Sequence, residues 1–200
     1  MNEIDVFEKF NKIAESPKFS MIFGGDNEHE ELLAEHKTWL QNIRRERPLA
    51  STPYKVGVYI RYFNQTKYDN YLYYHKKQYA DTIALCPKWQ LHDFYIDEGS
   101  VAPNMESAPE WGRLLMDCMS GKIDLIITQK VSNVTRKPNE ITILARILAS
   151  QKHPIGIYFI SEDIFTLASY YLEDMKDTCF FPQNWTVLPD DTNERMLLND

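Results

Sequence analysis

Arg61, Lys130 and Arg136 are the residues whose types and spacing best suit a shared chemistry. Guanidinium forks match phosphate oxygens, and a lysine adds a point charge. If the chain brings the three together, they make an anion pocket suited to a phosphate group. The competing assignment is ordinary ion pairing with Asp97, Glu98 or Glu162, and spacing alone does not choose between the two. Tyr62, Thr66 and Ser132 carry hydroxyls near the same strand ends, although alternation points Tyr62 to the opposite face from Arg61.

Other chemistries find little material. Cys86, Cys118 and Cys179 are odd in number and form no C-x-x-C pair, so neither a disulfide framework nor a zinc site is expected. His29-Glu30 would need a histidine at Leu33 to make H-E-x-x-H, and His75, His92 and His153 lack neighbours at ligand spacing. With seven glycines there is no glycine-rich phosphate loop; no metal or cofactor is expected. The formal charge of −7 argues against a protein that coats nucleic acid, though not against a local basic pocket. Lys67-Tyr68, Tyr71, Tyr73-Tyr74-His75-Lys76-Lys77 and Tyr79 interleave aromatics with cations, a pattern that could stack single-stranded nucleic acid. The favoured alternative is an amphipathic helix with Leu72 and Tyr79 in the core and the other tyrosines half-buried.

Positioning these residues requires a scaffold, and the hydrophobic pattern supplies one. Residues 1–50 read as a helical N-terminal extension. Val6, Phe7, Phe10, Ile13 and Ala14 form one stripe, and Leu32, Leu33, His36, Trp39, Leu40 and Ile43 a second, each needing a partner surface. From Lys55 the pattern becomes strand–helix alternation. Strands are expected at Val56–Ile60, Trp89–Ile96, Ile123–Thr128 and Ile155–Ile160. The intervening helices carry Leu72, His75, Tyr79, Ile83 and Cys86, then Trp111, Leu114, Leu115, Cys118 and Met119, then Ile141, Leu144, Ala145 and Leu148. Ser107-Ala108-Pro109-Glu110 reads as a capping box, and Gly121 as a helix C′ residue. Such order predicts an α/β domain over residues 51–165, with a mainly parallel sheet of four to five strands and helices on both faces. Residues 166–200 read as a short helix and a loose acidic tail. In such a sheet, ligands bind beyond the C-terminal ends of the strands, where Tyr59, Arg61 and Phe63 would share one side. No signal-peptide pattern or membrane-length apolar run occurs, so the expected compartment is the cytoplasm.

Five landmarks in order give the chain a resemblance to the catalytic domain of the serine recombinases, the resolvase/invertase family. They are Val58-Tyr59-Ile60-Arg61, then Phe94 to Gly99, Ala108-Pro109-Glu110-Trp111, Gly121 to Ile127, and Ile155 to Ile160 with Ser161-Glu162-Asp163-Ile164. The resemblance implies site-specific DNA recombination on a resolvase-like fold, with Tyr59, Arg61 and Arg136 as family-matching site residues. It also exposes departures. The position two after Arg61, which in the family bears the nucleophilic serine, is Phe63. A phenyl ring has no lone pair with which to attack phosphorus. The family's arginine before Pro-Glu falls on Ala108, its Asp-Arg on Ser132-Asn133, and its first-helix glutamine on His75. Phosphoryl transfer depends on positive charge held around the phosphate, so strand cleavage is expected to be lost.

The resulting expectation is a catalytically degenerate recombinase-like domain associated with DNA recombination or mobile elements. Its partner would be a recombinase-like subunit or a second copy, with weak DNA contact on its own and no membrane association. The alternatives are an active recombinase that uses a displaced nucleophile or an active partner subunit, and a doubly wound domain that binds a small ligand.

Overall fold

The structure, a computed structural model, describes residues 3–14, 34, 37–41, 43, 45–62, 71–98, 108–135 and 137–168. Its elements are α1 (Glu3–Ala14), β1 (Tyr54–Tyr62), α2 (Tyr71–Ile83), β2 (Trp89–Glu98), α3 (Pro109–Met119), β3 (Leu125–Thr128), a 3₁₀ turn (Val131–Asn133), α4 (Pro138–Ala149), β4 (Gly156–Phe159) and β5 (Ile164–Phe165). The five strands form one sheet in the order β2-β1-β3-β4-β5. The first four are mutually parallel and β5 runs antiparallel on the edge. The expected α/β architecture is therefore the observed one, with β5 as its fifth strand.

Strand periodicity of two sends alternate side chains to two cores. Val56, Val58, Ile60, Leu125, Ile127 and Tyr158 face one core, which α1 and α2 close with Val6, Phe7, Phe10, Tyr79 and Ile83. Tyr59, Tyr95, Ile126, Ile157 and Phe159 face the other, closed by Leu114 and Cys118 of α3 and Ile141, Ala145 and Leu148 of α4. Burial on both sides explains why β3 and β4 read as continuous apolar runs. The first N-terminal stripe thus finds its partner in the sheet. Phe10 is fully buried, with its ring 6.2 Å from Trp89 and 6.1 Å from Tyr158. In the second stripe, Trp39, Leu40 and Ile43 pack against the α3–α4 core, and an Arg45 Nη2 donates to the Leu40 carbonyl at 2.8 Å, capping the end of helical residues 37–41.

Two local expectations need correcting. The capping box does not form: the N-cap of α3 is Ala108 with no side-chain cap, so Glu110 sits one position too early and instead accepts from the Arg113 guanidinium at 2.6 and 2.9 Å. Met119, expected inward, is half exposed, because the last turn of α3 has rotated its 3.6-residue stripe past the sheet. Gly121 does occupy the left-handed region, at φ +74°, after the Ser120 C-cap. Residues 166–168 are helical, at the start of the expected tail helix; the rest of that helix and the acidic terminus lie outside the described residues. No helix among the described residues is long and apolar enough to cross a membrane.

Candidate functional site

The strand order reverses between β1 and β3, and the edge beyond their C-terminal ends is where an open parallel sheet binds ligands. Tyr59 and Thr128 are register partners across that junction, so Arg61 and Lys130 each lie two residues past one aligned pair. On the other side of β1, Arg61 is in register with Asp97, the penultimate residue of β2. Parallel pairing therefore gathers Arg61, Lys130 and Asp97 at one edge from three segments of sequence.

Tyr59 is fully buried, with its ring 4.8 Å from that of Trp111. Its hydroxyl donates to Asp97 Oδ2 at 3.1 Å and accepts from Arg61 Nη1 at 3.5 Å. Burial, then the negative charge of Asp97, pushes the phenol well above its ordinary pKa, so Tyr59 stays protonated and acts as a donor. Asp97, itself buried, also accepts the backbone N–H of Glu110 at 3.1 Å and of Trp111 at 2.9 Å. These amides belong to the first turn of α3, the positive end of a helix. A carboxylate thirteen and fourteen residues upstream of these amides thus occupies the position that an external oxyanion would seek. Asp97 was expected only as an ion-pair partner for the cations. Its capping role has no local signature, since ten residues of sequence separate strand end from helix start.

Lys130 is extended, half-buried, and opens the 3₁₀ turn. The turn is held against the segment after β4: Ile160 N–H donates to the Thr128 carbonyl at 3.1 Å, and Ser161 N–H to Gln129 at 2.8 Å. Val131 N–H donates to Glu162 Oε2 at 3.3 Å. Burial pushes the Glu162 carboxyl up to about 7, against the opposing pull of that N–H and of the charges on Lys130 and Arg45. Lys130 therefore faces one of the carboxylates named as its alternative partner. The Glu162 backbone carbonyl accepts from Arg45, while Arg47 forms a bidentate pair with Asp163, whose φ is +56°.

Of the residues expected at the site, the structure brings Tyr59, Arg61 and Lys130 to one edge. Arg136, Phe63 and Thr66 lie outside the described residues. Tyr62 ends β1 partly exposed, and Ser132 is exposed on the 3₁₀ turn. His75 is buried on α2 with its ring 5.1 Å from Tyr79; burial lowers its pKa to about 4. Among the described residues no cluster of His, Cys, Asp and Glu could hold a metal ion. Cys118 is buried, which pushes its thiol up to about 12, so it is no nucleophile.

No protein-family model and no curated protein matches the chain. Among solved structures it is similar to the N-terminal catalytic domain of TP901-1 integrase, at 23% identity and a TM-score of 0.46, covering 65% of this chain and 97% of that one. It is also similar to a resolvase family site-specific recombinase from Streptococcus pneumoniae, at 16% identity and a TM-score of 0.45, covering 63% of this chain and 85% of that one.

Proposed function

We propose that this chain is a recombinase-like domain that has lost strand cleavage and acts in DNA recombination, or on mobile elements, through contact with protein or DNA. The observation that carries this reading is the end of β1. Tyr59 and Arg61 share one side of β1, with the guanidinium on the phenol oxygen, and the next residue of that alternation in the sequence is Phe63. Arg61 and Lys130, with Arg136 from the loop that follows, are the remnant phosphate contacts. They contribute positioning charge without an oxygen to attack phosphorus. The partner is a recombinase-like subunit or a second copy of the chain.

The test is covalent trapping. The protein is incubated with supercoiled plasmid carrying the DNA that flanks its coding sequence, then denatured and examined for protein-linked DNA. The expected result is none, for the chain itself and also for Phe63→Ser, because Ala108 and Ser132-Asn133 still lack the charge that phosphoryl transfer requires. A trapped adduct on the unmodified chain overturns the proposal.

One observation favours a second reading, a small-ligand domain: Arg61 and Lys130 flank the β1–β3 junction, where doubly wound sheets hold nucleotides. Saturable calorimetric binding of a nucleotide, abolished by Arg61→Gln, with no recombinase or DNA captured, would select it.

A further inference from the structure

Two of the tyrosines expected to lie half-buried on α2 are instead exposed. Tyr73 and Tyr74 are 65% and 64% exposed, while His75 and Tyr79 on the opposite side of the helix are buried. Their rings meet edge to face, with centroids 5.5 Å apart at 75°. Each ring thereby braces the other and leaves π surface open to solvent. The charge beside them is positive. Lys77 is exposed, α2 has no acidic residue in its first turn, and the first acid along the helix is Asp81. Lys76 is engaged elsewhere, its ammonium 4.9 Å from the centre of the Phe94 ring.

From this arrangement we propose that the outer face of α2 is a short stacking platform for single-stranded nucleic acid, with Tyr73 and Tyr74 contacting bases and Lys77 contacting a phosphate. Every base has a π face, so such a platform tolerates sequence. A protein hot spot would set its aromatic anchors in an apolar, desolvated surround. Here the exposed neighbours are Lys77, Gln78 and Asp81. The crossover from β1 to the parallel β2 requires α2 to run back along the sheet. Its first turns therefore lie at the same end of the sheet as Arg61. The net charge of −7 opposes long-range attraction, which fits a contact of a few nucleotides rather than a coating surface. The inference goes beyond the proposed function and does not require Arg61 to bind phosphate or the chain to lack cleavage.

The test is an anisotropy titration of a short labelled oligothymidylate, and of a duplex of equal length, across a salt series. The single strand is expected to bind at low salt, and at least about 5-fold more tightly than the duplex. Tyr73→Ala and Tyr74→Ala should each weaken it at least about 5-fold, with the salt slope unchanged. Tyr73→Phe and Tyr74→Phe should retain affinity within about 2-fold, because stacking needs the ring and not the hydroxyl. Lys77→Gln should reduce the salt slope by about 0.7, the signature of one phosphate contact. Both rings are exposed, so an unchanged thermal midpoint confirms that each variant is folded. No binding at low salt, binding indifferent to the two alanine variants, or equal affinity for the duplex would overturn the proposal. So would self-association that the alanine variants abolish in the absence of oligonucleotide binding, which would make the tyrosines a protein interface.

Discussion

With three hydrogen bonds converging on its carboxylate, Asp97 does for α3 what a bound phosphate would otherwise do, and Arg61 reaches it only through the Tyr59 hydroxyl, which accepts from Arg61 and donates to Asp97. Two further residues set opposing pH responses. Glu162 is pushed up to about 7, so between about pH 4.5 and pH 7 the folded state holds a proton that the unfolded state has released. Stability from this group falls as pH rises through that window. His75 is lowered to about 4, so between about pH 4 and 6.5 the unfolded state holds the extra proton. Stability from His75 is complete above about 6.5 and is lost as pH falls. Each shift corresponds to about 3 kcal/mol, and the two oppose each other over most of the same range. Glu162→Gln should therefore steepen the rise in stability between pH 4.5 and 6.5, and His75→Phe should turn it toward a decline. Urea unfolding at stepped pH reads both; variants with parallel pH profiles would show that neither group titrates as its burial implies.

At the scale of elements, packing differs sharply between two glycines, one on the strand beneath α3 and one inside α3 itself. Gly57 lies on β1 at a bulge, where His92 of β2 has no register partner. A Cβ there would come within 2.8 Å of Ile123 Cδ1 and of Leu114 Cδ1, and 3.3 Å from Tyr95. Glycine is what lets α3 approach the sheet this closely. Gly112, inside α3, has nothing within 4 Å of such a Cβ. Gly57→Ala is expected to cost about 1–3 kcal/mol through forced repacking. Gly112→Ala should instead stabilise by about 1 kcal/mol through helix propensity. Chemical denaturation of the two variants should shift in opposite directions. Element types were legible because burial imposes periods: two-sided strands as apolar runs, helices as 3.6-residue stripes. The start of α3 was misread for a physical reason. Ser107 and Glu110 offered a local cap, but Asp97 from β2 supplied the amides' partner over a long range. β5 is two residues long and follows a turn whose left-handed residue is Asp163 rather than glycine, so neither length nor turn chemistry announced it.

For the whole molecule, alternation along β1 was enough to place Tyr59 and Arg61 on one side, and strand order then decided which other residues joined them. That order is not written in any local pattern, which is why Glu162 was named only as one of three possible partners for the cations and the capping role of Asp97 was not foreseen. The same holds for the N-terminal stripes, whose apolar residues demanded cover without naming it. In the fold, Phe7 and Phe10 of α1 meet Tyr158 edge to face, at 5.9 and 6.1 Å, while the Arg47 guanidinium lies 5.3 Å from the Phe7 ring. Arg47 in turn is bound to Asp163, and Tyr158 donates to Asp163 at 2.7 Å. One sheet face is thus closed by a helix that precedes the strands by some forty residues of sequence, and a strap around Arg47 ties it to the β4–β5 turn. If α1 is part of the cooperative core, Phe10→Ala should cost about 3–5 kcal/mol by leaving a cavity against Trp89 and Tyr158. In a chain of this size that lowers the melting temperature by roughly 6–20 °C. Lys9→Ala, on the exposed side of the same helix, should leave it nearly unchanged. A single unfolding transition shifted by Phe10→Ala would place α1 inside the folding unit. A loss below about 1 kcal/mol, or an early separate transition, would instead make the helix a detachable arm and free its sheet face for another protein.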